Sequence, residues 1–70
     1  MAIERGHRVR ATTAGGDQVV MVALGAPHQG ADFQVVWVAT EAEWERAQRD
    51  GDEPDGLPWP VTAIEEAAPA

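Results

Sequence analysis

The sequence predicts a small α+β domain, mainly β with one short helix. Three observations carry that expectation. Two apolar runs rich in β-branched residues, Gln18 to Leu24 and Asp32 to Ala39, have the composition of strands. A capped segment with a narrow apolar face follows them, from Thr40 to about Asp50. Glycines and prolines divide the remainder into short pieces.

The elements can be justified in order. Residues 7–13 alternate, with Val9 and Ala11 on one side and Arg8 and Arg10 on the other, as in a half-buried strand with a basic outer face. Gly15 and Gly16 then favour a hairpin, because tight turns between strands need positive φ. Residues 25–31, with Pro27 and two glycines, read as a loop. In the second strand Val20, Val22 and Leu24 share one side and Val19, Met21 and Ala23 the other. In the third, Phe33, Val35 and Trp37 oppose Val36 and Val38. A sheet with one wet face would carry polar residues at alternate positions, so the second face needs a cover. The helix, the C-terminal segment or a second copy of the chain could supply it.

Thr40 to Glu43 spells a capping box, and Gly51 is placed to end the helix. Glu45 and Arg49 have the spacing of an i,i+4 ion pair. Trp44 is the one large apolar residue of the helix and is expected to anchor it to the sheet. Residues 50–56 form an acidic turn. Leu57 to Pro60 is expected to be a stiff extended connector, since each proline holds its predecessor out of helical space. Val61 to Ile64 would form a last short strand and Glu65 onward a frayed end. The domain is thus expected to span residues 1–66, with 67–70 a disordered tail.

Composition bounds function. Cysteine is absent, which removes disulfides, thiolate metal sites and nucleophilic Cys chemistry. Serine and tyrosine are absent too, leaving Thr12, Thr13, Thr40 and Thr62 as the side-chain hydroxyls. His7 and His28 therefore have poor nucleophiles to activate, and the chain is expected not to be an enzyme. The acidic turn fails as an EF-hand: counted from Asp50, position 5 is Pro54, position 6 is Asp55 and position 12 is Val61. No cofactor and no metal site are expected.

Net charge is −7, and its distribution is uneven. Residues 1–40 hold three acids and three arginines, whereas residues 41–70 hold nine acids against two arginines. Such a surface disfavours nucleic acid and anionic membranes and suits a basic protein partner. No apolar run approaches the ~20 residues of a membrane span. The start lacks the basic and apolar regions of a signal peptide, so cytoplasm is the expected location. Lys, Asn and Tyr, which have AT-rich codons, are missing while Ala, Gly, Arg and Val abound; the composition points to a high-GC bacterium, such as an actinomycete, or to its phage.

The opening Gly6-His7-Arg8-Val9-Arg10-Ala11 is similar to the G-D-x-V-x-V start of small SH3-like barrels, with His7 where Asp is usual. The order β-β-β-α-β also resembles that fold, including small SH3-like proteins of high-GC actinobacteria. The helix is longer than the single 3₁₀ turn usual before the last strand of such barrels. Peptide-binding members use tyrosine-lined grooves for polyproline segments, and this chain has no tyrosine, so that activity does not carry over. A β-grasp-like sheet with one covering helix is the alternative.

The resulting expectation is a non-enzymatic protein-binding module, an adaptor or inhibitor. It would use an acidic C-terminal face and a partly uncovered apolar sheet. The candidate contact residues are Trp59, Trp37, Arg8, Arg10, Glu45 and Asp52. Trp59 either seals one end of the barrel or stands out as an anchor, and the small core's need for area favours the seal. Phe33 and Trp44 are expected in the core. A homodimer or other homo-oligomer, and a small-ligand pocket under the helix near Trp44 and Trp37, are the alternatives.

Overall fold

The computed structural model describes residues 3–67. The elements are β1 (Arg8–Thr12), β2 (Gln18–Ala23), β3 (His28–Gln29), β4 (Gln34–Thr40), α1 (Glu41–Asp50), β5 (Leu57–Pro60), a 3₁₀ turn (Val61–Ala63) and β6 (Ile64–Glu66). Every strand pair is antiparallel. The sheet runs β3-β4-β2-β1-β6 and curls into a half-barrel, with β5 on the far edge of β4. Val38 shows the arrangement: it pairs with Ala23 on one side and Leu57 on the other.

Alternation in the strands sorts the side chains. Val9, Ala11, Met21, Ala23, Val36, Val38 and Ile64 fill the concave side together with Ile3, and Trp59 and Val61 pack against them. On the convex side Val22 pairs with Ala39, and both are buried. Helix α1 packs over β2 and β4 and buries Ala47. The apolar face that needed a cover is therefore covered at this end from within the chain.

The β1–β2 hairpin closes through residues 13–17. The Thr13 N–H donates to the Asp17 carbonyl at 2.8 Å, and Gly16 has φ 88°. Thr40 caps α1, its hydroxyl accepting from the Glu43 N–H at 3.1 Å. Gly51 ends the helix at φ 71°, ψ 24°, a left-handed conformation that favours glycine.

Several expectations are corrected. The loop at 25–31 contains β3, which pairs with the start of β4. The connector Leu57–Pro60 is a paired strand. The Trp37 carbonyl accepts from the Leu24 N–H at 2.8 Å, so Trp37 aims its backbone at β2. By ladder alternation Val36 and Val38 aim theirs at β5, opposite Trp59 and Leu57. Pro58 and Pro60 then face the free edge, where a missing N–H costs no ladder bond. The last strand begins only at Ile64, because residues 61–63 take the 3₁₀ turn. Glu65 and Glu66 are paired with β1, and the Ala67 N–H donates to the Arg8 carbonyl at 3.1 Å, so the end of the domain is tied down through Ala67. The rest of the expected tail, residues 68–70, lies outside the described residues.

The aromatic residues also depart from expectation. Phe33 is 52% exposed at the β3–β4 turn and is not core. Trp44, expected in the core, is only half-buried and lies outside the buried cluster, and Ala47 is the buried residue of the helix. Trp44 instead lies beside Gly6 and carries the Arg5 guanidinium over its ring.

Candidate functional site

The acidic turn after α1 has a defined shape because α1 holds it. The Glu43 carboxylate does not reach back to the cap, as a full capping box would have it. It accepts from Arg46 Nη2 at 2.7 Å and Nε at 3.0 Å, and from the Asp55 N–H at 2.8 Å. The bond from Arg46, then the bond from Asp55, lowers the Glu43 pKa from 4.5 to about 2. Arg46 also donates to Asp50 at 3.2 Å and Asp52 at 3.3 Å, and its pKa is raised, chiefly by Glu43. One arginine thus gathers three carboxylates and folds the turn back over the helix. Glu45 and Arg49 form no ion pair among the described residues; the helix charges are organised around Arg46 instead.

The folded turn presents Glu53, the buried Pro54, Asp55 and Gly56 to the convex side of β4. There an open cleft of about 380 Å³ lies between the turn, the exit of β2 and the start of β3. Leu24 and Trp37 give it an apolar lining, and Ala26 and His28 line it as well. Trp37 is 44% exposed, and in register it stands beside Pro58 of β5. Gly56 packs close to it: a Cβ there would lie 3.7 Å from the Trp37 ring.

Arg5 closes one end of the cleft. The Gly6 N–H donates to the Ala23 carbonyl and the Ala23 N–H to the His7 carbonyl, which fixes the N-terminal segment against β2. The Arg5 guanidinium carbon then sits 5.3 Å from the Trp44 ring centroid. Its nitrogens donate to the Leu24 carbonyl at 3.2 Å and to Glu53 at 3.4 Å.

Of the six residues singled out in the sequence, Trp37 is the one that lines this cleft. Trp59 is half-buried against the core, and its indole N–H donates to the Thr12 carbonyl at 3.1 Å. Arg8 pairs with Glu41 at 3.0 Å across to α1, and Arg10 pairs with Glu65, its cross-strand neighbour, at 3.4 Å. Asp52 is held by Arg46, and Glu45 is exposed on α1. None of the six bonds to another. Sequence reasoning missed Arg5 and Asp55, because what distinguishes them is contact with residues far along the chain.

His7 and His28 stand on different elements, His7 against Glu4 and His28 in β3. No cluster of three or more His, Asp or Glu side chains among the described residues is placed to hold a metal ion. No described helix is long and apolar enough to cross a membrane.

These features define a small antiparallel half-barrel of the α+β class, with one convex side covered by a helix and an aromatic cleft beside it. Comparison with protein-family models, with curated proteins and with solved structures found no match.

Proposed function

We propose that the chain is a non-enzymatic protein-binding module, an adaptor or inhibitor acting in the cytoplasm, and that it meets its partner through the convex side of β4 and β5 next to the acidic turn. The observation that carries this reading is Trp37. A 44% exposed tryptophan in mid-strand, opposite Pro58 and beside a cleft, is a costly placement for a small domain with little core. Tryptophan is enriched at the hot spots of protein interfaces. The charge distribution supports a neutral or basic partner. Arg5, Arg8, Arg10 and Arg46 are all engaged by carboxylates of the same chain, leaving the net charge of −7 to dominate outward.

An SH3-like barrel is the finer fold reading that accompanies it. A 3₁₀ turn directly before the last strand supports it, since that is where such barrels carry theirs. Helix α1 is then an addition between the strands. Because it packs mainly on β2 and β4 among the strands, the barrel reading is favoured over a β-grasp-like sheet under one helix.

The test compares proteins captured from the source cell by the native chain and by Trp37→Ala. A partner retained by the first and lost by the second, at equal thermal stability, supports the reading. Equal capture by both overturns the assignment of this face.

A further inference from the structure

We infer that the cleft at Trp37 receives an arginine side chain from the partner, stacked on the Trp37 ring and paired with Asp55. The inference rests on the protein-binding reading above and specifies what that surface recognises.

The chain already shows the chemistry once. Arg5 lies over Trp44, donates to the carboxylate of Glu53 and donates to a backbone carbonyl, that of Leu24. An aromatic face, a carboxylate and a carbonyl together satisfy a planar cation that is only weakly hydrated. The same cleft offers similar groups without the cation. Trp37 supplies an exposed ring, and its indole N–H has no partner among the described residues. Asp55 supplies a carboxylate that makes no ion pair or side-chain hydrogen bond among the described residues, whereas Glu43 fixes its backbone N–H. Gly56, next in sequence, lies against the Trp37 ring, and Asp55 lines the same cleft.

Charge selects the occupant. An anion would meet Glu53 and Asp55, with Arg5 already committed to Glu53. A wholly apolar side chain could cover Trp37 but would leave Asp55 unpaired and partly desolvated, which is unfavourable. A guanidinium satisfies both groups, and its flat face matches the ring better than an ammonium does.

The test follows the indole N–H signals of the native protein by NMR during titration with the peptide Ac-Gly-Arg-Gly-NH2. We expect a saturable shift of the Trp37 indole with a dissociation constant in the millimolar range. The indoles of Trp44 and Trp59 should stay in place, being held against Arg5 and Thr12. Asp55→Asn should weaken binding by about threefold, the factor of an exposed ion pair. Trp37→Ala, followed by backbone signals around Gly56, should abolish it. The matching citrulline peptide, of the same shape without charge, should not bind, and the lysine peptide should bind less tightly.

No shift with the arginine peptide, an equal shift with citrulline, or binding of lysine at least as tight as arginine would each overturn the inference. If a partner is nevertheless captured in a Trp37-dependent manner, the protein-binding reading survives and the cation is what falls. If capture is independent of Trp37, the reading itself falls.

Discussion

The guanidinium of Arg46 grips both carboxylate oxygens of Glu43, at 2.7 and 3.0 Å, from one turn further along α1. A bidentate contact of this kind fixes geometry as well as charge. Glu43 is 22% exposed, the least exposed carboxylate among the ion pairs, and the backbone of Asp55 donates to it as well. The pair therefore links helix, acidic turn and cleft.

Stability should depend on pH through this carboxylate. Its pKa in the folded protein, about 2, lies below the ordinary 4.5, so the unfolded chain binds the proton first as pH falls. The contribution is complete above about pH 4.5 and is lost as pH drops toward about 2. Glu43→Gln should be less stable than the native chain at neutral pH, and the difference should shrink across that window. Urea midpoints measured at steps between neutral pH and pH 2 check this; a constant difference would contradict it.

The Trp59 indole closes the half-barrel over Thr12, 47 residues earlier in the chain. Trp59→Phe keeps much of the apolar area but removes the donor. We expect a loss of about 1 kcal/mol, the usual net worth of such a bond. In urea unfolding the midpoint should fall with the slope unchanged. No change in midpoint would show that the bond to Thr12 contributes nothing.

Edge strand β5 turns Pro58 and Pro60 outward, and a proline at an outward position offers no N–H to a further strand. Replacing both, Pro58→Thr with Pro60→Thr, restores two outward donors on an extended edge. Light scattering should then show a mass that rises with concentration more steeply than that of the native chain. Identical behaviour would mean that other features protect the edge.

Local features were legible in the sequence because their physics is local. The Thr40 cap needs only the N–H of Glu43, and the Gly51 stop needs only positive φ. The hairpin after β1 likewise depends on residues 13–17 alone. Strand β5 was not legible. Prolines argue against a ladder unless the strand is known to lie at an edge, and that depends on β4. The cleft was half legible: Trp37 was singled out, whereas Arg5 reaches it through pairing of Gly6 with Ala23.

The sequence by itself determined a small acidic domain of strands with one helix, its net negative charge carried beyond Thr40 and its apolar residues too many for a sheet with one wet face. Those properties follow from composition and short-range periodicity. The tertiary structure decided which residues remain uncovered. Helix α1 packs on β2 and β4 with Ala47 buried, and Trp37 stays 44% exposed in the cleft that Asp55 also lines. That outcome depends on where the curled sheet carries each strand, and contacts made over tens of residues leave no periodic trace in the chain.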